Sequence, residues 1–417
     1  MPDSRNRAGR RFAYNPTIAM IVAMVAGAIA GIAIGPPMGE IKFIGDIFFR
    51  LIQMGMVAFV MCQIIEAVGG LTRRQLSGMG SKAVAAFLVS SLLASAFGVL
   101  AAVVFRPGAG LAGTELVQEA MTDLTATTLS IQDTITGFFT SNVFASMGSG
   151  SMVPCIVFSV FFGLGISMYQ EKHGGSCVIY CAVLEINEVL LSIIRMVMNI
   201  APIGIFCYVS ASIGTLGIEV LVPIGKYIVV LAAATLVFTV GWLIFVSAKC
   251  GLSLPRLVKK MVPMSVMAAA TISSAVTLPL EMEDAKHKIG IRADVANLVL
   301  PLGVPLNSNG SALHMALTAV FVSQMYNMDF VGAELMMVVV IAWLLSLANA
   351  VAPGATLISL TMLMPALGLP LDAVAILGGL EYIVAAIRTT LNVNSDVFCA
   401  LLVANSEGAI DREVFNS

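Results

Sequence analysis

Long apolar segments, each able to cross a membrane as a helix, occupy most of the first 250 residues of this chain. They lie near residues 16–35, 43–69, 82–105, 152–169, 180–212 and 218–248. A helix needs about 20 mainly apolar residues to cross the roughly 30 Å hydrocarbon core of a bilayer. Backbone polar groups inside that core must be paired within the protein, which a helix achieves on its own. The sequence therefore predicts an all-α polytopic membrane protein.

The distribution of charge predicts how the chain is oriented. Of the 417 residues, 59% are hydrophobic and 11% are charged, and the mean hydropathy is +0.97. Cytoplasmic segments favour Lys and Arg; the tail 1–15 is basic, whereas residues 107–151 contain no Lys or Arg. We expect a multi-pass protein of the plasma (inner) membrane of a prokaryote, with both termini cytoplasmic and 107–151 an external loop. Its surroundings are membrane lipids, and we expect no nucleic-acid partner.

Two further apolar segments have both flanks on one side of the membrane. Residues 261–285 lie between basic clusters, and each arm of about 12 residues reaches only about 18 Å. This predicts a re-entrant hairpin with Ser273 and Ser274 at its tip. Residues 330–370 have acidic flanks and a helix-breaking A-V-A-P-G-A-T, which predicts a second hairpin from the opposite side. Each is followed by a polar or broken helix (293–326 and 371–406). This inverted repeat is typical of a midplane site in a secondary transporter.

The last apolar segment carries aligned polar groups. Arg388, Asn392 and Asp396 are four residues apart, which places them on one face of a helix, and Glu381 lies close to the same face. A charge at the centre of a membrane helix costs about 2.5–3.5 kcal/mol on insertion scales. Such residues indicate separate anion and cation sites; the alternative is a structural ion pair between packed helices.

Several motifs in this order carry a family resemblance, strongest from about residue 258 to 405. They are S-S-A-V-T-L-P, L-P-L-G-V-P-L-N-S-N-G-S-A-L, A-P-G-A-T and R-T-T-L-N-V-N-S-D. The chain resembles the dicarboxylate/amino acid:cation symporters, which include the glutamate and aspartate transporters. The resemblance implies a homotrimer of elevator-type transporters with eight transmembrane helices and two re-entrant helical hairpins.

The same resemblance implies a division into two domains. The fixed scaffold would comprise helices one and two (16–80) and helices four and five (152–212). The transport domain would comprise helix three (81–106) and residues 213–406, from helix six to the last helix. Residues 407–417 would form a cytoplasmic tail.

The resemblance also implies a site for a small anionic substrate. Its substrate-binding positions are Ser273, Ser274, Ser311, Ala352, Pro353, Gly354, Ala385, Arg388, Thr389 and Asn392. In amino-acid members an aspartate occupies the position of Ala385 and binds the ammonium group of the substrate, whereas Arg388 and Ser311 match groups that hold a carboxylate. This favours a dicarboxylate such as succinate, fumarate or malate. The alternative is a sodium- or proton-coupled transporter of acidic or neutral amino acids, in which Glu381 binds the amino group.

Sodium sites follow from the resemblance in the same way. One set is Gly303, Asn307, Asn392 and Asp396, and a second is Pro305, Ser346, Leu347 and Asn349. A third, with Ser90 and Ser91, lacks an aromatic hydroxyl at Phe87 and has Asn309 where the family has a carboxylate. A neutral amide supplies no charge, so the resemblance implies sodium coupling through fewer sites.

Two residues and two other classes of function leave alternatives open. His314, within the broken helix, is either a proton carrier or a packed neutral side chain. Glu381 is either a proton carrier or, as we favour, the partner that orients Arg388. An anion channel would need an open polar pore, for which no repeated charged ring is visible. No H-E-x-x-H motif or Ser/Lys dyad stands out, so we do not expect an enzyme.

Overall fold

The computed structural model describes residues 16–70, 78–109, 136, 139–173, 177–216, 221–328, 330–347, 355–378 and 380–417. Over these ranges the regular secondary structure is helical, with one isolated antiparallel bridge between Ile291 and Ile410. The first helices are α1 (Pro16–Ile34), a 3-10 turn (Pro36–Ile41), α2 (Lys42–Gln53), α3 (Met56–Gly69), α4 (Met79–Phe105), α5 (Val143–Gly148), α6 (Met152–Lys172), α7 (Val178–Met198), α8 (Ala201–Leu216) and α9 (Leu221–Cys250). The later ones are α10 (Leu254–Thr271), α11 (Ser274–Asp284), a π turn (Ala285–Ile289), α12 (Ala293–Leu306), α13 (Asn309–Met325), α14 (Ala333–Leu347), α15 (Ala355–Ala366), α16 (Asp372–Gly378), α17 (Glu381–Ser406) and α18 (Arg412–Asn416).

Three helices of the described ranges are long and apolar enough to cross a membrane. They are Met79–Phe105, Pro154–Lys172 and Val222–Cys250, to which shorter apolar helices such as Ala333–Leu347 are added. Their outward faces carry large apolar side chains, for example Leu236, 65% exposed, and Leu100, 56% exposed. Apolar side chains on the outside are the mark of a protein whose surroundings are lipid rather than water.

Three segments that the sequence predicts as single helices are interrupted. The span 43–69 is broken at Met54 and Gly55 into α2 and α3, where glycine weakens a helix interior. The span 180–212 is broken at Asn199 and Ile200, because Pro202 cannot continue the preceding helix and sits instead in the first turn of α8. The span 371–406 comprises α16 and α17, with a turn at Leu380. Predictions of unbroken helices are wrong here because apolar length does not specify backbone continuity.

The first predicted hairpin is a helix–turn–helix. α10 ends at Thr271, Ile272 takes a left-handed conformation (φ 54°), and Ser273 caps α11 by accepting a hydrogen bond from the Val276 amide. α10 and α11 then pack against each other. Positive φ is a genuine outlier for a β-branched residue and stores strain at the tip. The depth of this tip in the membrane stays a prediction. The tip of the second predicted hairpin, with Ala352, Pro353 and Gly354, lies outside the described residues.

Two groups of helices pack around different centres. In one, α1 packs along α8, which also contacts α2. In the other, α17 contacts α9, α10, α12 and α13, and most of its side chains from Leu391 to Ala404 are buried. Residues 407–417 fold back onto this second group: Phe415 is buried, and the guanidinium of Arg412 donates to the carbonyls of Cys250 and Gly251. The polar groups of α17 therefore lie deep inside the second group.

Candidate functional site

A polar cluster surrounds the break between α12 and α13. Pro305 lies in the last turn of α12, and Asn307 and Ser308 are non-helical before α13 begins. The amide of Asn307 donates to Asp396 Oδ1 over 2.7 Å, and the backbone N–H of Gly310 donates to Asn392 Oδ1 over 2.7 Å. A helix N-terminus has backbone N–H groups without partners in its own helix. The break therefore turns backbone and side-chain polar groups toward the aligned face of α17.

Two glycines allow α17 to approach the break this closely. A Cβ at Gly310 would collide with the backbone carbonyl of Arg388, and a Cβ at Gly303 would collide with the carboxylate of Asp396. Neither glycine has a positive φ, so their role is steric. Small residues let helix backbones meet at short range. Here they bring the middle of α17 against the ends of α12 and α13.

The structure brings the first predicted cation set into one buried place. Gly303 lies against Asp396, which accepts from Asn307, and Asn392 is held one turn away on α17. Asp396 is 1% exposed, and its Oδ2 has no hydrogen-bond partner among the described residues. A buried charge must be paired or coordinate a metal ion. A carboxylate, amide oxygens and nearby carbonyls suit a small hard cation, and these residues fit sodium.

The predicted third set is only partly connected to this cluster. The Ser90 hydroxyl lies 3.2 Å from Asn307 Oδ1 and 3.1 Å from Asn309 Oδ1, so it links the two amides. Ser91 instead donates to the Phe87 carbonyl and accepts from the Trp343 indole over 3.0 Å. The structure thus joins Ser90 to the cation cluster and turns Ser91 toward α14.

The second predicted cation set is less complete in the described residues. Ser346 is buried in α14 and donates to the Trp343 carbonyl over 2.7 Å, and Leu347 ends that helix. Pro305 exposes its ring beside the break. Asn349 lies outside the described residues, so this set stays a prediction.

The predicted anion-binding groups lie on the facing surfaces of α17 and α13. Arg388 is 6% exposed, and Thr389 and Ala385 are also buried on α17. Ser311 and His314 are buried on α13, which packs against α17. Guanidinium groups bind carboxylates with two parallel hydrogen bonds. This side of the cluster can hold an anion.

Charges on either side of Arg388 shape this region. The carboxylate of Glu381, in the first turn of α17, acts electrostatically on Arg388, and Arg388 in turn acts on His314. Ala385 lies between Glu381 and Arg388 along the helix and offers only a methyl group. The site therefore contains a guanidinium with an acidic neighbour, and an apolar side chain three residues before the arginine on the same helix.

At the hairpin tip, Ser274 is 6% exposed, whereas Ser273 is half-buried and uses its hydroxyl to cap α11. Ser273 can therefore contact a ligand only if the cap opens or the hydroxyl serves both.

Glu281 is a buried acidic residue that the sequence pattern does not single out. Glu281 in α11 is 0% exposed, and its charge interacts with that of Asp396. Its signal was present in the sequence: Ser274, Thr277 and Glu281 follow a spacing of three and four residues, which places them on one helix face. Its position close to the basic residues Lys286 and Lys288 makes it resemble a flanking charge, and only packing against α17 reveals the burial.

Comparison with known proteins identifies a family whose members are similar to this chain over most of its length. The sequence profile described as the sodium:dicarboxylate symporter family matches residues 17–406. The proton/glutamate-aspartate symporter of Escherichia coli (strain K12) is 30% identical over 377 residues, covering 88% of this chain and 86% of the relative. The proton/sodium-glutamate symport protein of Bacillus caldotenax is 28% identical over 409 residues, 96% of each chain. The C4-dicarboxylate transport protein of Paracoccus denitrificans (strain Pd 1222) is 27% identical over 406 residues, 95% of this chain and 88% of the relative. These relatives are transporters and not enzymes.

Proposed function

The chain belongs to the sodium:dicarboxylate symporter family, and from this premise we propose that it couples the entry of sodium to the uptake of a small dicarboxylate. The observation that carries the substrate class is Ala385, buried one helical turn before the buried Arg388. If the substrate ammonium group lay beside position 385, as the family resemblance implies for amino acids, it would meet only a methyl group there. A dicarboxylate brings no such charge.

The anion half of the proposal starts from Arg388. A buried guanidinium is stabilised when a carboxylate enters and forms charge-assisted hydrogen bonds with it. Ser311, on the facing helix α13, offers a hydroxyl, and the Asn392 side chain offers its N–H₂ group because its oxygen already accepts from Gly310. Arg388 would hold one carboxylate of the substrate, and Asn392 with the tip serines would hold the other.

The cation half starts from Asp396. A sodium ion held by Asp396, Asn307 and the Gly303 carbonyl would compensate a carboxylate that otherwise carries a buried charge. Asn392 joins the two halves, since it lies between Arg388 and Asp396 on α17 and fixes the first turn of α13. A cation that orders the break would therefore also order the substrate contacts. Such coupling acts equally in both directions on binding.

The proposal includes the arrangement implied by the family resemblance. We propose a homotrimer in which α1, α2, α3, α6, α7 and α8 form a fixed scaffold, and the helices around α17 move as an elevator. Eight transmembrane helices, two re-entrant hairpins and cytoplasmic termini complete this arrangement. The packing of α1 on α8, away from α17, supports two groups of helices.

A second candidate is an acidic amino-acid transporter. It is favoured by relatives whose names specify glutamate and aspartate and by Glu381, a buried carboxylate two turns before Arg388 on the same helix. Glu381 would have to bind the ammonium group in place of the residue at position 385. It would then lose its interaction with Arg388, which is why we place this candidate second.

Sodium-gradient-driven uptake in proteoliposomes tests the proposal. Labelled succinate should accumulate against its gradient when sodium is high outside, and should not accumulate when choline replaces sodium. Competition with unlabelled aspartate and glutamate separates the two candidates. Uptake of aspartate in preference to succinate would replace the first candidate by the second, and no sodium-dependent accumulation of either would contradict both.

A further inference from the structure

A second buried carboxylate lies beside the one on which the proposed cation site depends. Glu281 is 0% exposed, and neither of its carboxylate oxygens has a hydrogen-bond partner among the described residues. Its helix, α11, packs against both α12 and α17. The charge of Asp396 acts on Glu281 across this packed region. The protein therefore buries two carboxylates in one neighbourhood.

Nearby basic side chains are engaged elsewhere. The Lys288 ammonium pairs with Asp284, one turn beyond Glu281 toward the exposed end of the hairpin, at 2.5 Å. Arg388 is eight residues from Asp396, about 12 Å along α17, and interacts with Glu381. A structural ion pair, which is the ordinary reason for a buried glutamate, does not account for Glu281.

The side chains around the two carboxylates are neutral and rich in polar atoms. Asn307 donates to one oxygen of Asp396 and leaves the other without a partner. The Asn309 side-chain nitrogen and the Ser395 hydroxyl are buried and also lack partners among the described residues. Buried polar groups are nearly always hydrogen-bonded or bound to an ion. The Glu281 oxygens, Asp396 Oδ2 and the Ser395 hydroxyl oxygen can serve as cation ligands, whereas the Asn309 nitrogen can only donate a hydrogen bond, for example to a carboxylate. The oxygens are more numerous than a site built on one carboxylate would need.

We propose that Glu281 is a ligand of a transported sodium ion, and that Glu281 and Asp396 together bind one sodium ion more than Asp396 binds alone. This rests on the proposed function, because it assigns Glu281 to the cation sites of that transporter. It also changes the expectation based on Asn309: the negative charge that position 309 does not supply is supplied from α11.

The negative charge of Glu281 can be moved by mutation to position 309 in the same buried polar cluster. Ser90 links the side chains of Asn307 and Asn309, and Asn307 contacts Asp396. A carboxylate at position 309 would therefore stand in the same buried network as Asp396. Moving the charge from 281 to 309 keeps the number of carboxylates constant while changing the helix that carries one of them.

The experiment compares the unmodified protein with Glu281→Gln and with the matched control Glu283→Gln, an exposed position in the same helix. Sodium binding is first measured without substrate, as the rise in melting temperature when sodium replaces choline. The number of sodium ions per succinate is then measured from reversal potentials in proteoliposomes. We expect Glu281→Gln to raise the sodium midpoint by about tenfold or more and to lower the stoichiometry by one ion, with Glu283→Gln unchanged.

A double variant, Glu281→Gln with Asn309→Asp, guards against misfolding and tests the relocation of charge. It should recover the sodium midpoint and the lost ion; Glu281→Asp, which keeps the carboxylate, should retain both if Glu281→Gln fails to fold. Unchanged sodium binding and stoichiometry in Glu281→Gln would overturn the inference. So would an unchanged sodium count with a changed proton count, which would make Glu281 a proton site.

The readouts separate this inference from the proposed function. If succinate uptake is sodium-driven and Glu281→Gln leaves its stoichiometry intact, only the role of Glu281 fails. If the unmodified protein takes up no succinate, the proposed function fails, and the substrate-free melting shift still decides whether Glu281 binds sodium.

Discussion

Among the described helix interfaces at which glycine lets backbones approach closely, the one between α1 and α8 and the one around α17 enclose different side chains. Along α1 and α8, a Cβ at Gly31 would lie 2.8 Å from the Ser210 carbonyl, and a Cβ at Gly27 would lie 2.8 Å from the Phe206 carbonyl. Around α17, Gly303 and Gly310 play the same steric part. The first interface joins largely apolar helices, whereas the second encloses a guanidinium, amides and carboxylates. Close packing alone therefore does not identify a site.

The α1–α8 interface serves the stability of the fold, whereas we propose that the interface around α17 also binds substrate and cation. Close backbone approach stabilises membrane helices through dispersion and short-range polar contacts. Between α1 and α8 the close contact serves only to stabilise the packing of the two helices. At α17 part of it offsets the cost of burying charged groups, a cost that our proposal explains by ligand binding.

The largest expected effect concerns which anion the α17 interface accepts. The unmodified protein should bind succinate at least about 100-fold more tightly than aspartate, since an ammonium without a partner costs several kcal/mol in a closed site. Ala385→Asp should reverse the order of preference in competition uptake assays. The family resemblance aligns Ile272, at the hairpin tip, with an arginine of some amino-acid members, and we expect its apolar side chain to limit the completeness of the switch. Tight aspartate binding by the unmodified protein would contradict this prediction and would indicate that Glu381 binds the substrate ammonium group.

The next effect concerns Arg388 itself. Arg388→Ala should weaken succinate binding at least about tenfold, because charge-assisted hydrogen bonds contribute about 1.5–3 kcal/mol. Calorimetric titration of the purified protein in sodium measures this. Arg256→Ala is the control, since that arginine is exposed and donates to the Asn416 side chain. Equal affinity in the two variants would reduce Arg388 to a structural group and remove the contrast between the interfaces.

A comparable or smaller effect is expected through the cation. Asp396→Asn should raise the sodium concentration needed for half-maximal succinate binding, and succinate affinity at fixed sodium should fall about 5- to 150-fold, the usual range of coupling between sites. Titrating succinate at several sodium concentrations gives both quantities. If the unmodified protein binds succinate equally well with and without sodium, Asp396 has no part in coupling.

The sequence spacing indicates which polar side chains share a helix face, and their binding roles stay predictions, whereas apolar length misjudges the continuity of the helices. The four-residue spacing of Arg388, Asn392 and Asp396 defines a helix face directly, and the structure buries all three on α17. Pro202 and Gly55 interrupt apolar spans whose lengths alone suggest single helices. The proline and the glycine indicate a break at these positions, but the prediction of single helices relied on apolar length instead.

Two features that sequence reasoning did not predict depend on tertiary packing. Glu281 lies near the end of the predicted hairpin 261–285 and precedes basic residues, so its burial is set by how α11 meets α17 and not by local composition. Ser91 neighbours Ser90 in sequence, yet the Trp343 indole draws it into a different contact. Adjacent residues on a helix point about 100° apart, which is enough to separate one cation-cluster residue from a packing residue.

The smallest effect on substrate binding is expected from the glycines of the apolar interface. Gly31→Ala places a methyl group 2.8 Å from the Ser210 carbonyl and 3.0 Å from the Gly214 nitrogen. The helices must separate, and we expect a destabilisation of about 1–3 kcal/mol, typical of overpacking. Succinate affinity of the folded protein should nevertheless stay within about twofold, because α1 and α8 contribute no group to the cluster. Gly310→Ala, the matched variant at the polar interface, should lower both the melting temperature and the affinity, since it displaces α13 from Arg388. Melting curves and succinate titrations on the two variants provide the comparison. An equal loss of succinate affinity in both would mean that packing between α1 and α8 is coupled to substrate binding as strongly as packing around α17.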